Sequence, residues 1–287
     1  MASVPEGNRQ TLIAAAGAVA ALVIQVSGLS ASMTLLGVAI GLLGVPHGAV
    51  DHLMMDTPGS RRKADLLRYL AAITLVVSIW WLAPTVMLVL FLVNSAWHFG
   101  DCDVPNAGRL HPIRALIYGL AVLILVVDPR DPTVKQIIDE LLRFPLDPSP
   151  FKDYDSWRAA AAVIVMIIPS MVVRPGIRYR MIRSIAIVAI AFSVDSLLAF
   201  TWYFTIIHAY TSMNDLRHHL GSRTPWSWVE LIRAALPLSM VSFAGIGLSV
   251  LLLPNTSAIV ALFVALSALT LPHSVLFHRV YERRAGG

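Results

Sequence analysis

Charge and cysteine are both scarce in this chain. Asp, Glu, Lys and Arg make up only 14% of its 287 residues, against about 25% in soluble domains. A water-soluble core does not need so much apolar surface. There is one cysteine, Cys102, so an intrachain disulfide and a CxxC metal knuckle are both excluded. The HExxH signature of zinc proteases is absent, as is the alternating pattern of a membrane β-barrel. No internal repeat, soluble domain or low-complexity segment interrupts the chain.

What is there is apolar. Hydrophobic residues make up 57% of the sequence and the mean hydropathy is +0.71. Runs near 20 residues recur, the length an α-helix needs to span a bilayer. Lipid also obliges each segment to satisfy its own backbone hydrogen bonds. Ten apolar segments are expected as helices: 11–29, 32–55, 66–82, 84–100, 112–127, 157–173, 182–193, 197–212, 229–253 and 256–280. One helix from Arg180 to Ser212 would run roughly 50 Å at 1.5 Å per residue, beyond the roughly 30 Å hydrocarbon core. The stretch is therefore divided at Asp195. The predicted fold class is all-α, a polytopic integral membrane helix bundle of about ten transmembrane helices. It forms a single transmembrane domain over 1–287 with a short cytoplasmic N-terminus, 1–10. The first apolar run lacks the strongly basic start of a signal peptide and reads as the first span.

The net charge is +5, but the basic residues sit in short loops, where they set orientation rather than bind nucleic acid. With ten spans, three clusters fall on the side of Arg9: Arg61, Arg62 and Lys63; Arg174, Arg178, Arg180 and Arg183; and Arg279, Arg283 and Arg284. Both termini are then expected in the cytoplasm of an inner (plasma) membrane. The loop 128–156 falls outside. Within it, Ile137, Ile138, Leu141 and Leu142 have helical spacing. This suits a short helix lying on the membrane, or a lid over a substrate entrance.

Ionisable residues inside a membrane are costly and usually face a bundle interior or cavity. Nine histidines are present. His52, His111 and His278 suit ordinary bonding to a neighbouring helix or to headgroups. His47, His98, His208 and His273 differ. Their four helices run in the same direction, and at about 1.5 Å per residue their depths agree to within roughly 10 Å, in the cytoplasmic half. Neutral imidazoles suit iron, copper, zinc or nickel, whereas magnesium and calcium prefer oxygen. Asp51, four residues after His47, is expected to hold a ligand imidazole in its tautomer, or else to pair with a basic residue. Asp101 and Asp103 either act similarly or end their helix. Gly44, Pro46 and Gly48 permit a kink and close backbone approach. Trp97, Phe99, Trp202, Tyr203 and Phe204 either wall an apolar substrate channel or are ordinary packing or an interfacial aromatic belt.

Residues 44–52 read GVPHGAVDH, 97–103 read WHFGDCD, and 271–273 read LPH. In combination these resemble the Brp/Blh family of bacterial and archaeal β-carotene 15,15′-dioxygenases, from about residue 32 to residue 280. The resemblance implies a membrane enzyme that cleaves the central double bond of β-carotene with O2. Two retinals result, for which a microbial rhodopsin is the implied acceptor. It also implies a non-haem Fe(II) held by His47, His98 and His208, with His273 matching a further family element. One departure stands out. The family places a second histidine four residues after the one matched by His208, and here Ser212 occupies that position. His273, His218 or His219 then completes the coordination, or a three-histidine site keeps a water, or iron is not bound as in the family.

Two other classes remain open. A divergent member acting as a membrane transporter or chaperone for a metal or a retinoid would also carry intramembrane histidines. A membrane di-iron hydroxylase or desaturase would need complete histidine boxes, and His218-His219 is only a fragment of one.

Overall fold

The computed structural model describes residues 6–27, 32–54, 60–104, 109–171, 177–221, 224–252 and 257–285. The expected segment ends at Leu29, Met55, Val173, Leu253 and Thr256, and also Arg174, lie outside the described residues, as do residues 1–5. So do the side chains of Arg61, Arg62, Arg279, Arg283 and Arg284. Every regular element among the described residues is helical. The order begins with α1 (Glu6–Val26), α2 (Ser32–Ala39), a π-helical turn (Ile40–Gly44), α3 (Val45–Ala49) and α4 (Asp51–Met54). It continues with α5 (Ser60–Leu82), α6 (Pro84–Asp103), α7 (His111–Val126), α8 (Pro132–Leu142), α9 (Tyr154–Ser170) and α10 (Ile177–Ser193). Last come α11 (Ser196–Trp202), a second π-helical segment (Tyr203–Ala209), α12 (Tyr210–Leu220), α13 (Trp228–Leu252) and α14 (Ala258–Ala285).

Among the described residues, six stretches are long and apolar enough to cross a membrane: Arg9–Val26, Leu35–Met54, Lys63–Leu82, Pro84–Asp103, Trp228–Leu248 and Ala258–His278. Helix α7 is apolar but shorter. In α13 the exposed Ile232, Leu236 and Met240 are as apolar as the buried Leu231 and Ala235. A helix hydrophobic all round belongs in lipid or in a large core, so the chain is a membrane protein.

Local chemistry explains where helices start and stop. The break expected at Asp195 is present, because its carboxylate accepts from the Leu198 N–H at 2.9 Å and caps α11. Asp131 caps α8 in the same way, accepting from the Thr133 N–H at 2.9 Å, and Pro132 follows at the first helical position, where its missing N–H costs nothing. Helix α8 is the short helix expected from the spacing of Ile137, Ile138, Leu141 and Leu142. Its Val134, Ile137, Leu141 and Leu142 are buried.

The chain forms two compact units. The first comprises Met1–Ile40, Ala96–Ile138 and Leu146–Thr211. Here α7 packs on α9, and α10 packs on both α1 and α9. Phe99, Tyr118, Val165, Ile187, Trp202 and Tyr203 anchor its core. The end of α6 meets α7 at backbone distance. A Cβ on Gly119 would lie 1.7 Å from the Ala96 carbonyl oxygen, and one on Gly100 would lie 1.8 Å from that of Ala115. Small residues at a crossing let membrane helices approach this closely. Arg183 corrects the loop reading of its cluster. It is 6% exposed, inside α10, and paired with Asp103. At the end of α7, Arg130 bonds Asp128 (2.8 Å) and Asp155 (2.6 Å). Burial pushes the Asp128 carboxyl up. Hydrogen bonds from the Arg130 side chain and backbone, with the charges of Arg130 and Arg158, outweigh this and hold it below its usual range.

The second unit comprises Gly41–Ser95, Asp139–Pro145 and Ser212–Gly287. In it α14 packs on α5, α13 and α4, and α13 packs on α3. Polar bonds tie the helices together. The Trp80 indole N–H donates to Ser267 Oγ (2.5 Å), and Ser274 Oγ donates to Asn94 Oδ1 (3.0 Å).

Two outcomes follow from this packing. Gly119→Ala must push α6 and α7 apart, and thermal melting in detergent should show a loss of about 1–3 kcal/mol or more. Gly37→Ala, where a Cβ meets nothing within 4 Å, should instead gain about 0.4–1 kcal/mol; equal effects of the two would discount the close crossing. For Asp128, the folded pKa is depressed, so its stabilisation is complete above the unfolded value of about 4 and disappears as pH falls through the folded value. Melting curves from pH 6 down to pH 3 should therefore fall less steeply for Asp128→Asn than for the native protein.

Candidate functional site

The polar groups buried in these helices form short chains rather than isolated points. In the second unit, His47 and His273 are each 3% exposed. His273 Nε2 lies 2.9 Å from His47 Nε2, and the rings meet edge to face with centroids 4.4 Å apart. The other nitrogen of His273, Nδ1, donates to Asp51 Oδ1 at 2.5 Å. A carboxylate can only accept, so this bond puts the proton on Nδ1 and leaves the Nε2 lone pair facing His47. Tyr69 on α5 donates its hydroxyl to the second oxygen, Asp51 Oδ2, at 2.8 Å. Phe277, one turn beyond His273, covers the pair with ring centroids at 4.4 Å and 5.4 Å.

Asp51 thus holds an imidazole, as its place in the sequence suggests, and that imidazole belongs to His273, on a distant helix. The reason is local. Helix α3 stops at Ala49 and α4 starts at Asp51, with Val50 between them at ψ −2°. An unbroken helix, with ψ near −42°, is what would set residues four apart on one face. The break turns Asp51 toward α14.

In the first unit, His98 on α6 and His208 in the second π-helical segment are 2% and 1% exposed. Their rings meet edge to face, centroids 4.8 Å apart. The sulfur of Cys102, one turn after His98, lies 3.8 Å from His98 Nδ1. Phe99 packs at 4.7 Å from the His208 ring and 5.3 Å from Tyr203, and Phe204 stacks on His208 at 5.9 Å. Tyr203 donates its hydroxyl to Asp103 Oδ2 at 2.9 Å. Asp103 also pairs with Arg183, so it binds α6 to α10 and to the π-helical segment. Each π-helical segment lies at or just before a histidine, and such turns recur at functional sites.

The other expected residues fall as follows. Trp202 is buried against Gly17 of α1, and Trp97 is half-buried. His111 bonds Asp101 at 2.7 Å, both buried, which is the interhelical role expected of it. His52 Nδ1 bonds its own turn, at Ala49 O (2.9 Å), and His278 is half-buried. In α12, Arg217 donates to His218 Nε2 (3.3 Å), while His219 is exposed and Ser212 is buried. Tyr69 and Phe277 are the participants that sequence reasoning missed. Phe277 follows His273 by four residues, a spacing that was available. Nothing in the sequence links Tyr69 to Asp51.

The donor set has the chemistry of a transition-metal site. Two nitrogens held about 2.0–2.1 Å from one cation at a right angle lie about 2.9 Å apart, the separation of the two Nε2 atoms of His47 and His273. A carboxylate behind the ligand imidazole is the usual supporting contact. In the first unit, one ligand atom each from His98, Cys102 and His208 lie within 4.8 Å of one another.

These features define a class: a polytopic helical membrane protein with buried, paired imidazoles fit for a metal. A sequence model of the β-carotene 15,15′-dioxygenase family matches residues 38–281, and the chain belongs to that family. Comparison with curated proteins and with solved structures finds no match.

If Asp51 governs the presentation of His273, Asp51→Asn should weaken Co2+ or Fe2+ binding by about 10–100-fold. Tyr69→Phe should weaken it in the same direction by less. Metal titration of the purified protein reads both, and unchanged affinity in Asp51→Asn would remove the carboxylate from this role.

Proposed function

We propose that this chain is a membrane-embedded non-haem iron dioxygenase that cleaves the 15,15′ double bond of β-carotene with O2 to give two retinals. Family membership supplies the reaction class. The observation that carries the reading further is the pair His47 and His273, nitrogen facing nitrogen at 2.9 Å with Asp51 fixing one ring. His47, His98, His208 and His273 are the proposed ligands. His47 and His273 stand in one unit, His98 and His208 in the other.

Iron(II), when bound, supplies spin-allowed activation of O2, which no side chain provides. The chain's own residues do the rest. Asp51 keeps the Nδ1 proton of His273 in place, so that Nε2 remains a lone-pair donor. Tyr69 occupies the other carboxylate oxygen and keeps Asp51 from turning away. Phe277 beside one imidazole pair, and Phe99 and Phe204 beside the other, exclude water from them. β-Carotene has no polar handle and dissolves in the bilayer, so it enters from lipid. Bringing its midpoint to the reacting centre is a task of shape and apolar contact, in which positioning alone contributes much of the rate. The proposed topology is ten spans with both termini in the cytoplasm of the plasma membrane, and a microbial rhodopsin is the proposed acceptor of retinal.

The test is expression in a bacterial host that accumulates β-carotene, followed by pigment and retinal analysis. Retinal should appear with the native chain, fall on iron chelation, and be absent with His47→Ala or His98→Ala. Full retinal yield from either variant would remove that residue from the ligand set. Metal movement across the membrane with no loss of carotenoid would favour a transporter.

A further inference from the structure

Cys102 has no part in the function proposed above, yet it stands beside two of its histidines. It follows His98 by four residues within one unbroken helix, α6, so thiol and imidazole share a face. Sγ is 3.8 Å from His98 Nδ1. A sulfur about 2.3 Å and a nitrogen about 2.0–2.1 Å from one tetrahedral cation lie about 3.6 Å apart. His208 brings the third donor, and all three ligand atoms fall within 4.8 Å of one another. The two imidazoles are almost wholly buried and the thiol is half-buried. Three donors of the right type, from two segments of one compact unit, are thus close enough for a small adjustment to close them on an ion.

We propose that Cys102 is a metal ligand, forming with His98 and His208 a sulfur-and-nitrogen site for a borderline divalent cation such as Fe2+, Co2+ or Zn2+. The proposal rests on the reading above in taking His98 and His208 as metal ligands, and it adds a donor that the histidine set lacks. On binding, the thiol proton is released and the sulfur coordinates as thiolate. A soft thiolate beside imidazoles selects against magnesium and calcium. The site thereby discriminates among cations by ligand type as well as by geometry.

The experiment uses the full chain in detergent, stripped by chelation and titrated anaerobically with Co2+. The native protein should develop an intense sulfur-to-cobalt charge-transfer absorption together with the weaker ligand-field bands. Cys102→Ser should lose the charge-transfer absorption and bind Co2+ at least about tenfold more weakly. Ligand-field bands without the charge-transfer absorption in the native protein would overturn the proposal, as would identical spectra for the variant or no Co2+ binding at all. A second measurement does not depend on the variant folding. Alkylation of Cys102 in the native protein should be slowed by Co2+, and an unchanged rate would count equally against ligation. Retinal formation separates this inference from the previous one. Cleavage of β-carotene without a cobalt–sulfur signal leaves the dioxygenase reading standing and removes Cys102. The signal without cleavage does the reverse.

Discussion

An ionisable side chain buried among apolar helices has to be given a partner, and that requirement organises the polar interior of this protein. Removing one member of a buried charged pair typically costs about 3–5 kcal/mol, because the other is left without compensation. The buried carboxylates of the described helices obey the rule one by one. Asp51 takes His273 and Tyr69, Asp101 takes His111, and Asp103 takes Tyr203 and Arg183. Each set joins different helices, so satisfying the charge also fixes which helices are neighbours. Lipid-facing surfaces carry no such information, since one exposed leucine is as good as another there.

The backbone is shaped to serve these contacts. Both π-helical segments adjoin a histidine: Ile40–Gly44 ends shortly before His47, and Tyr203–Ala209 contains His208. Widening the turn shifts the angular register of every residue after it, which allows one imidazole to leave the lipid-facing stripe and meet another. His98 reaches its place differently. It sits in regular helix, and Gly100 and Gly119 let α7 come close enough to press His111 against Asp101. Gly100 and Gly119, weak positions by helix propensity, are thus the ones that bring α6 and α7 together.

Much of this was legible in the sequence, for physical reasons. Helices in an apolar solvent must satisfy their own backbone, so run length and hydropathy located the helical segments. Asp195 announced the cap of α11 because a short carboxylate before a helical run has an N–H within reach. Histidines in apolar runs stood out because they are costly. What was not legible depends on contact between distant parts of the chain. Tyr69 and Asp51 are on separate helices, and no periodicity joins them. Arg183 looked like one member of a basic cluster until Asp103, eighty residues earlier, was found beside it. Trp202 was readable as a channel wall or as ordinary packing, and its packing on Gly17 is a pairing that needs the position of α1.

The partner of Asp51, a histidine far away in the sequence, shows why local spacing has limits in a site of this kind. Four-residue spacing predicts a shared face only while the helix continues, and here a single residue, Val50, interrupts it. The consequence is a gain in specificity. A carboxylate bonded to its own helix would steady one imidazole and say nothing about the rest of the fold. Bonded instead to His273, more than two hundred residues away, it can form only when α14 is in place against α4 and α5. The buried pair His47 and His273 therefore exists only in the folded unit, and the bond that orients a prospective ligand also reports that the helices around it have assembled.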